Sequence, residues 1–255
     1  MINRMTARHK AVADKDEALR KRMCELAEQR KSFGSPRLHV LLKQEGLVVN
    51  HKRTERIYRE EKLSLRKHKK KHQATSSRKP DDPVDGPLQC LAMDFVHDNL
   101  ADGRSIRILS MIDLWDRSCP VLAVSFSQTG QRVVNVLNLL MKQGRMPRTL
   151  RTDNGPEFTS NALKIWAEKN GISINYTRPG KPTDNGHIES FNGRLREECL
   201  NQHIFTSLAD AQEKIELWRQ DYNQARPHSS LGWLSPAAYR EKNINQYPEP
   251  NLLLA

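Results

Sequence analysis

The residue pattern predicts two parts: a small, basic, all-helical unit, then a layered α/β domain built on a mixed sheet. Three observations lead there. Before residue 65, apolar residues recur at helical spacing in three short stretches; after residue 87, apolar runs of strand length give way to alternating helix and strand patterns. Charge divides at nearly the same place. Residues 1–80 hold 23 Lys and Arg against 9 Asp and Glu, while residues 81–255 hold 19 against 21, so the first third carries all of the +12 formal net charge. A basic surface of this size suits a polyanion, because neutralising phosphates releases condensed counterions. The plain alternative is a solvated basic face that aids solubility.

Composition narrows the class further. At 255 residues with 37% hydrophobic and 28% charged, the chain can form one large core or two smaller ones. The longest stretch without Asp, Glu, Lys or Arg is Ser118–Gln131, 14 residues, too short and too polar to cross a bilayer. The first ten residues lack the apolar segment of a secretory signal. Cys24, Cys90, Cys119 and Cys199 are scattered with no C-x-x-C, which disfavours a zinc site or a disulfide framework and leaves ordinary thiols in a reducing cytosol.

Taken in order, the first helix is expected from about Asp14 to Lys31, with Leu19, Met23, Leu26 and Ala27 as its stripe. A second starts at Ser35-Pro36, read as N-cap and first helical position, and stops near Gly46. The third opens at Asn50 and carries Lys52, Arg53 and Arg56. A short helix, a Gly-containing connection and a basic helix match a helix-turn-helix over residues 1–65, whose last helix would offer side chains to the DNA major groove. A plain three-helix bundle with a wet basic face fits the same pattern.

Residues 66–87, a Lys/His run followed by a Pro-rich segment, read as an extended linker. Beyond it, Leu88–Val96, Ile106–Leu114 and Val121–Phe126 are strand-like. Residues 131–143 read as a helix, Thr149–Thr152 as a strand, Ser160–Asn170 as a helix, Ile172–Tyr176 as a strand, and about Asn185–Leu200 as a long helix. Leu208, Ala211, Ile215, Trp218 and Tyr222 mark a further amphipathic helix, either covering the core or meeting another subunit. The domain is expected to run from 88 to 243, with 244–255 as a tail.

Three acids stand out within this domain. Asp94 interrupts the apolar strand Leu-Ala-Met-Asp-Phe-Val, where an ion must pair, protonate or bind a metal. Asp153 opens Asp-Asn-Gly-Pro-Glu-Phe at the carboxyl end of a strand, the edge where α/β sheets gather ligands. Glu189 shares a polar helix stripe with Asn192, Gly193 and Arg196, beside an apolar stripe of Ile188, Phe191, Leu195 and Cys199 that must face the sheet. That rotation brings Glu189 to the sheet edge and points Arg196 where it can meet a phosphate. Converging carboxylates repel unless cations intervene, and Mg²⁺ prefers oxygen ligands. A pair of such ions stabilises both the attacking and the leaving oxygen of a phosphoryl displacement. Asp98, Asp113, Asp116 and Glu157 are rival acids, read as surface or supporting residues. His97, His187 and His228 are read as structural, and Lys181 as either a phosphate contact or a solvated loop lysine.

Around these acids the sequence resembles a known group. Met-Asp94-Phe, Thr-Asp153-Asn-Gly-Pro-Glu-Phe and Pro-Thr-Asp-Asn-Gly-His-Ile-Glu189-Ser-Phe-Asn-Gly-Arg, with 58 and 35 residues between the acids, are similar to the three motifs of DDE transposases and retroviral integrases. Tyr222-Asn-Gln-Ala-Arg-Pro-His-Ser-Ser-Leu-Gly-Trp-Leu-Ser-Pro-Ala-Ala-Tyr239 resembles the carboxyl-terminal signature of the second-reading-frame proteins of bacterial insertion-sequence family three, as residues 20–65 resemble their helix-turn-helix. The resemblance implies a ribonuclease-H-like core with Asp94, Asp153 and Glu189 as catalytic metal ligands, two Mg²⁺ ions (Mn²⁺ substituting), and Arg196 in the basic position seven residues after the glutamate. It implies cleavage and strand transfer of element ends by direct transesterification. The partners implied are double-stranded DNA (terminal inverted repeats and target), further copies of the chain in a synapse, and a first-frame protein or fusion. The setting is the bacterial cytoplasm, at the nucleoid. No leucine-zipper heptads are visible. A nuclease that only hydrolyses and a non-catalytic DNA-binding regulator are the alternatives to be separated.

Overall fold

The computed structural model describes residues 15–65, 84–178 and 185–246. The chain divides into two units, residues 1–71 and 72–255. In the first, α1 (Glu17–Gln29), α2 (Ser35–Gln44) and α3 (His51–Glu60) enclose a core of Leu19, Met23, Leu26, Phe33, Leu38, Leu42, Val48, Ile57 and Tyr58. Gly34, in extended backbone, is the N-cap of α2, so Ser35 lies inside the helix and makes no capping hydrogen bond, one position on from the expectation. Gly46 ends α2 at φ +74°, a left-handed conformation that costs a residue with a Cβ. Leu47 N–H then closes the turn onto the Leu42 carbonyl at 3.0 Å. Asn50 caps α3 by accepting from the Lys52 N–H at 3.0 Å.

The second unit is a five-stranded sheet in the order β3-β2-β1-β4-β5. Strands β1 (Cys90–Asn99), β2 (Ser105–Asp113) and β3 (Val121–Ser125) form an antiparallel meander, and β4 (Thr149–Thr152) and β5 (Ser173–Tyr176) extend it in parallel from β1. Parallel neighbours need crossovers, supplied by α4 (Gly130–Lys142) and α5 (Asn161–Lys169). The strands begin and end within three residues of the expected runs. Val84, inside the segment read as linker, packs against the core.

Period-two alternation sorts β1 onto two faces. Leu91 and Met93 meet Val133, Leu137, Leu163 and Trp166 of α4 and α5. Cys90, Ala92 and Val96 lie on the other side, under Ile188, Phe191 and Leu195 of α6 (Gly186–Glu198) and Ala211, Ile215 and Tyr222 of α7 (Leu208–Gln224). The α7 stripe therefore covers the core. A last helix, α8 (Pro236–Asn243), starts on a Ser235 cap with Pro236 in its first turn. Behind α6, Arg226 and Glu198 form a bidentate ion pair at 2.6 and 2.7 Å, with side chains only 2% and 6% exposed. No helix among the described residues is long and apolar enough to cross a membrane.

Candidate active site and nucleic-acid interface

Asp94 belongs to the β1 row that faces α6, so its carboxylate points to the helix carrying Glu189. Parallel register sets Ala92 opposite Arg151; Asp94 stands two residues further along β1, and Asp153 follows the last residue of the neighbouring β4. Asp153 is exposed just past the end of β4, and Glu189 is exposed in the first turn of α6. Burial raises the Asp94 pKa above the ordinary carboxylate range, and the charges of Asp153 and Glu189 push it the same way. The charges of Asp153 and Glu189 thus reach Asp94 through space. Among the described residues none of them has a salt bridge, and no three Asp, Glu, His or Cys stand as a ready-made metal cage.

Smaller contacts fix the two aspartates. Asp94 accepts from its neighbour Phe95 N–H at 2.7 Å and from Asn192 Nδ2 at 2.8 Å. Asn192 comes one helical turn after Glu189, so one face of α6 holds an acid and the amide that orients another. Its Oδ1 is buried without a hydrogen-bond partner, an unsatisfied acceptor beside the carboxylates. Asp153 Oδ1 folds back to accept from Gly155 N–H at 2.9 Å, and a Cβ at Gly155 would stand 3.0 Å from that oxygen. The glycine of Asp-Asn-Gly-Pro permits this close approach.

The loop bearing Asp153 is held at its far end by Arg107. This guanidinium of β2 ion-pairs with Glu157, lies 4.5 Å over the Phe95 ring, and so ties the loop to the strand of Asp94. Phe95 in turn stacks on Phe158 at 4.8 Å. Neither Arg107 nor the role of Asn192 was visible in the sequence. The only trace of the first is one charged residue inside the alternating Ser105-Ile-Arg-Ile; of the second, its place three residues after Glu189.

The rival acids have other partners. Glu157 belongs to Arg107. Asp113 and Asp116 are buried at the opposite end of β2 and share Arg240 of α8. Asp113 also accepts from Leu88 and Trp115 N–H, and Asp116 from Ser118 N–H. Burial, followed by the neighbouring Asp116, pushes the Asp113 pKa up to about 6. Asp98 accepts only from the adjoining Asn99 N–H in a half-exposed position.

The basic candidates separate likewise. Arg196 is exposed on α6 and donates to the His97 carbonyl at 3.0 Å, which holds it along the strand of Asp94. Lys181 lies outside the described residues. On α3, Arg53 and Arg56 both turn to Asp16, just before α1; Arg53 also donates to the Lys15 carbonyl, and Arg56 to Glu60. These two arginines clamp α3 to α1; Arg56, like Lys52, is nonetheless exposed. Of the histidines, His228 is buried against Tyr222, ring centroids 4.7 Å apart, and the cysteines are all free thiols, three of them buried.

Comparison with known proteins shows the family. Two models of the integrase core domain match residues 84–182 and 170–236, and an HTH-like domain model matches residues 14–71. An uncharacterised 31.7 kDa protein of insertion element IS407 from Burkholderia multivorans is 41% identical over 228 residues, covering 89% of this chain and 82% of its own. A 39.2 kDa protein of IS476 from Xanthomonas euvesicatoria is 44% identical over 223 residues, covering 88% of this chain and 64% of its own. Among solved structures, the simian T-cell lymphotropic virus intasome in complex with PP2A regulatory subunit B56 gamma aligns with a TM-score of 0.56 at 16% identity, over 89% of this chain and 76% of that one. At that identity the likeness concerns the fold.

Proposed function

The chain belongs to the insertion-sequence transposases built on an integrase core, and from that premise we propose that Asp94, Asp153 and Glu189 are the acids that cut and join its DNA. One observation carries the reading: a half-buried carboxylate in mid-sheet feels two more across a parallel strand and a helix turn, with no salt bridge to relieve them among the described residues. Three carboxylates are a hard, all-oxygen donor set, suited to Mg²⁺ and also open to Mn²⁺. Such cations, when bound, lower the pKa of an attacking hydroxyl and neutralise charge developing on the phosphate; we propose two per site. The pull toward a cation is built into the mutual repulsion of the acids, and the orphaned Asn192 Oδ1 adds an acceptor beside them.

The chain's own residues then have distinct tasks. Asn192 holds Asp94 in one rotamer, Gly155 N–H fixes the outer oxygen of Asp153, and Arg107 with Glu157 keeps the Asp153 loop against β2. Arg196 offers a guanidinium to a phosphate along the same side. The helical unit supplies DNA affinity, with Lys52 as its outward contact. Joining two element ends to a target calls for more than one copy of the chain, and a first-frame partner is compatible with it. Labelled terminal-repeat DNA incubated with Mg²⁺ should yield 3′-ended cuts and then joined strands. Cut products without joining would mark a nuclease, and binding without either would mark a regulator.

A further inference from the structure

The core on the α6 and α7 side is drawn from β1, β2 and β3 and includes no residue of β4 or β5. On this face β4 and β5 present Thr149 opposite Ser173 and Arg151 opposite Asn175, with both β5 residues exposed. The other side of the same strands is conventional: Leu150 is buried, and Ile174 packs beneath it. Among the described residues, no helix packs on this polar half of the sheet face. That half floors an open groove of about 380 Å³ whose walls include Arg148, Asp85 and Val84.

Arg151 lies on β4 one residue before its end at Thr152, and Asp153 follows directly in the loop. Two arginines face one acid in the groove, and guanidinium forks match phosphate oxygens. Val84 is also where the chain arrives from the basic segment, with Lys and Arg at seven positions between 66 and 79. We propose that this polar half-face is a track for a DNA backbone, in which Arg148 and Arg151 hold phosphates upstream of the one brought to Asp153. Thr149 and Asn175 add neutral hydrogen-bonding groups that read no base sequence. The inference rests on the carboxylates being a phosphodiester-cutting centre, and it assigns where the strand lies on the way there.

The test uses the full chain and a fluorescent 30-base-pair duplex with a single-stranded 3′ overhang, in EDTA so that no cutting intervenes. Replacing Arg148→Gln and Arg151→Gln together should lower the slope of log affinity against log salt by about two, near 0.9 per lost phosphate contact. Arg151→Lys should keep the slope. Unchanged slope and affinity, with melting unchanged, overturns the proposal. Should the double variant melt lower, Thr149→Glu puts a carboxylate on the groove floor, and undiminished affinity there overturns it equally. Sedimentation altered by the arginine changes, with DNA affinity intact, would mark the groove as a subunit contact and refute the track. A chain that cuts DNA yet shows no slope change loses only this inference; one that shows the slope change but never cuts loses only the assignment of the acids.

Discussion

The two ends of the catalytic sheet each gather carboxylates, and they treat them in opposite ways. At one end Asp113 and Asp116 are about 1% and 0% exposed, yet Arg240 and three backbone N–H groups meet their oxygens. At the other, Asp94, Asp153 and Glu189 are more exposed, the charges of the latter two bear on Asp94, and an asparagine and two backbone amides are their described partners. Burial alone would single out Asp113 and Asp116, whose charge Arg240 already meets. The two groups differ in whether a cation of the described protein meets them: Arg240 at the buried pair, none at the proposed site.

The strongest challenge to that contrast is substitution at the exposed end. Asp153→Asn or Glu189→Gln should reduce strand cleavage at least about a thousandfold, near 4 kcal/mol of lost charge stabilisation, while DNA affinity in a gel shift stays within about twofold. Retained cleavage would erase the distinction. At the buried end, Arg240→Ala should cost about 3 kcal/mol in a urea melt, since two buried acids lose their cation.

The same end should show its own pH signature. Asp113 is raised from an unfolded value near 3.8 to about 6, so the folded chain holds a proton that the unfolded chain releases earlier. Its contribution to stability is present below pH 4 and lost as pH rises through 6. Between pH 4 and 7 the stability of Asp113→Asn should therefore gain on that of the parent by about 3 kcal/mol. A parallel pair of pH curves would refute the buried-acid account.

Two smaller effects sharpen the picture. Asn192→Ala should slow cleavage about tenfold by freeing the Asp94 rotamer, near 1.4 kcal/mol, with binding unchanged. Weaker still, Lys52→Gln should reduce the salt slope of DNA binding by about one without altering melting, whereas Arg53→Gln should lower the melting temperature of the helical unit. Equal melting of these two variants would contradict the clamp on Asp16.

Much of this was legible in the chain itself. The helices and strands follow from periodicity, and Asp94 announced itself as an ion in an apolar strand. The parallel pairing that puts Asp153 beside Asp94 depends on a crossover whose geometry no local pattern encodes. Arg53 and Arg56 illustrate the limit: helix spacing placed them on a basic face, but only packing revealed that Asp16, some 40 residues away, takes both guanidinium groups. Arg240 is the converse case, a surface-looking charge in the sequence that neutralises two buried acids 124 and 127 residues earlier.

The crossover between β1 and β4 has a further consequence for a mobile gene. Its first strand emerges from the ribosome long before the helix that completes the acidic trio, because 94 residues separate Asp94 from Glu189. Any message broken or frameshifted in that interval would still encode the helical unit, which an HTH-like domain model matches, without the third acid. If that unit alone holds the termini, damaged copies of the element would make competitive occupants of them, and a genome accumulating such copies would restrain the intact one by dilution.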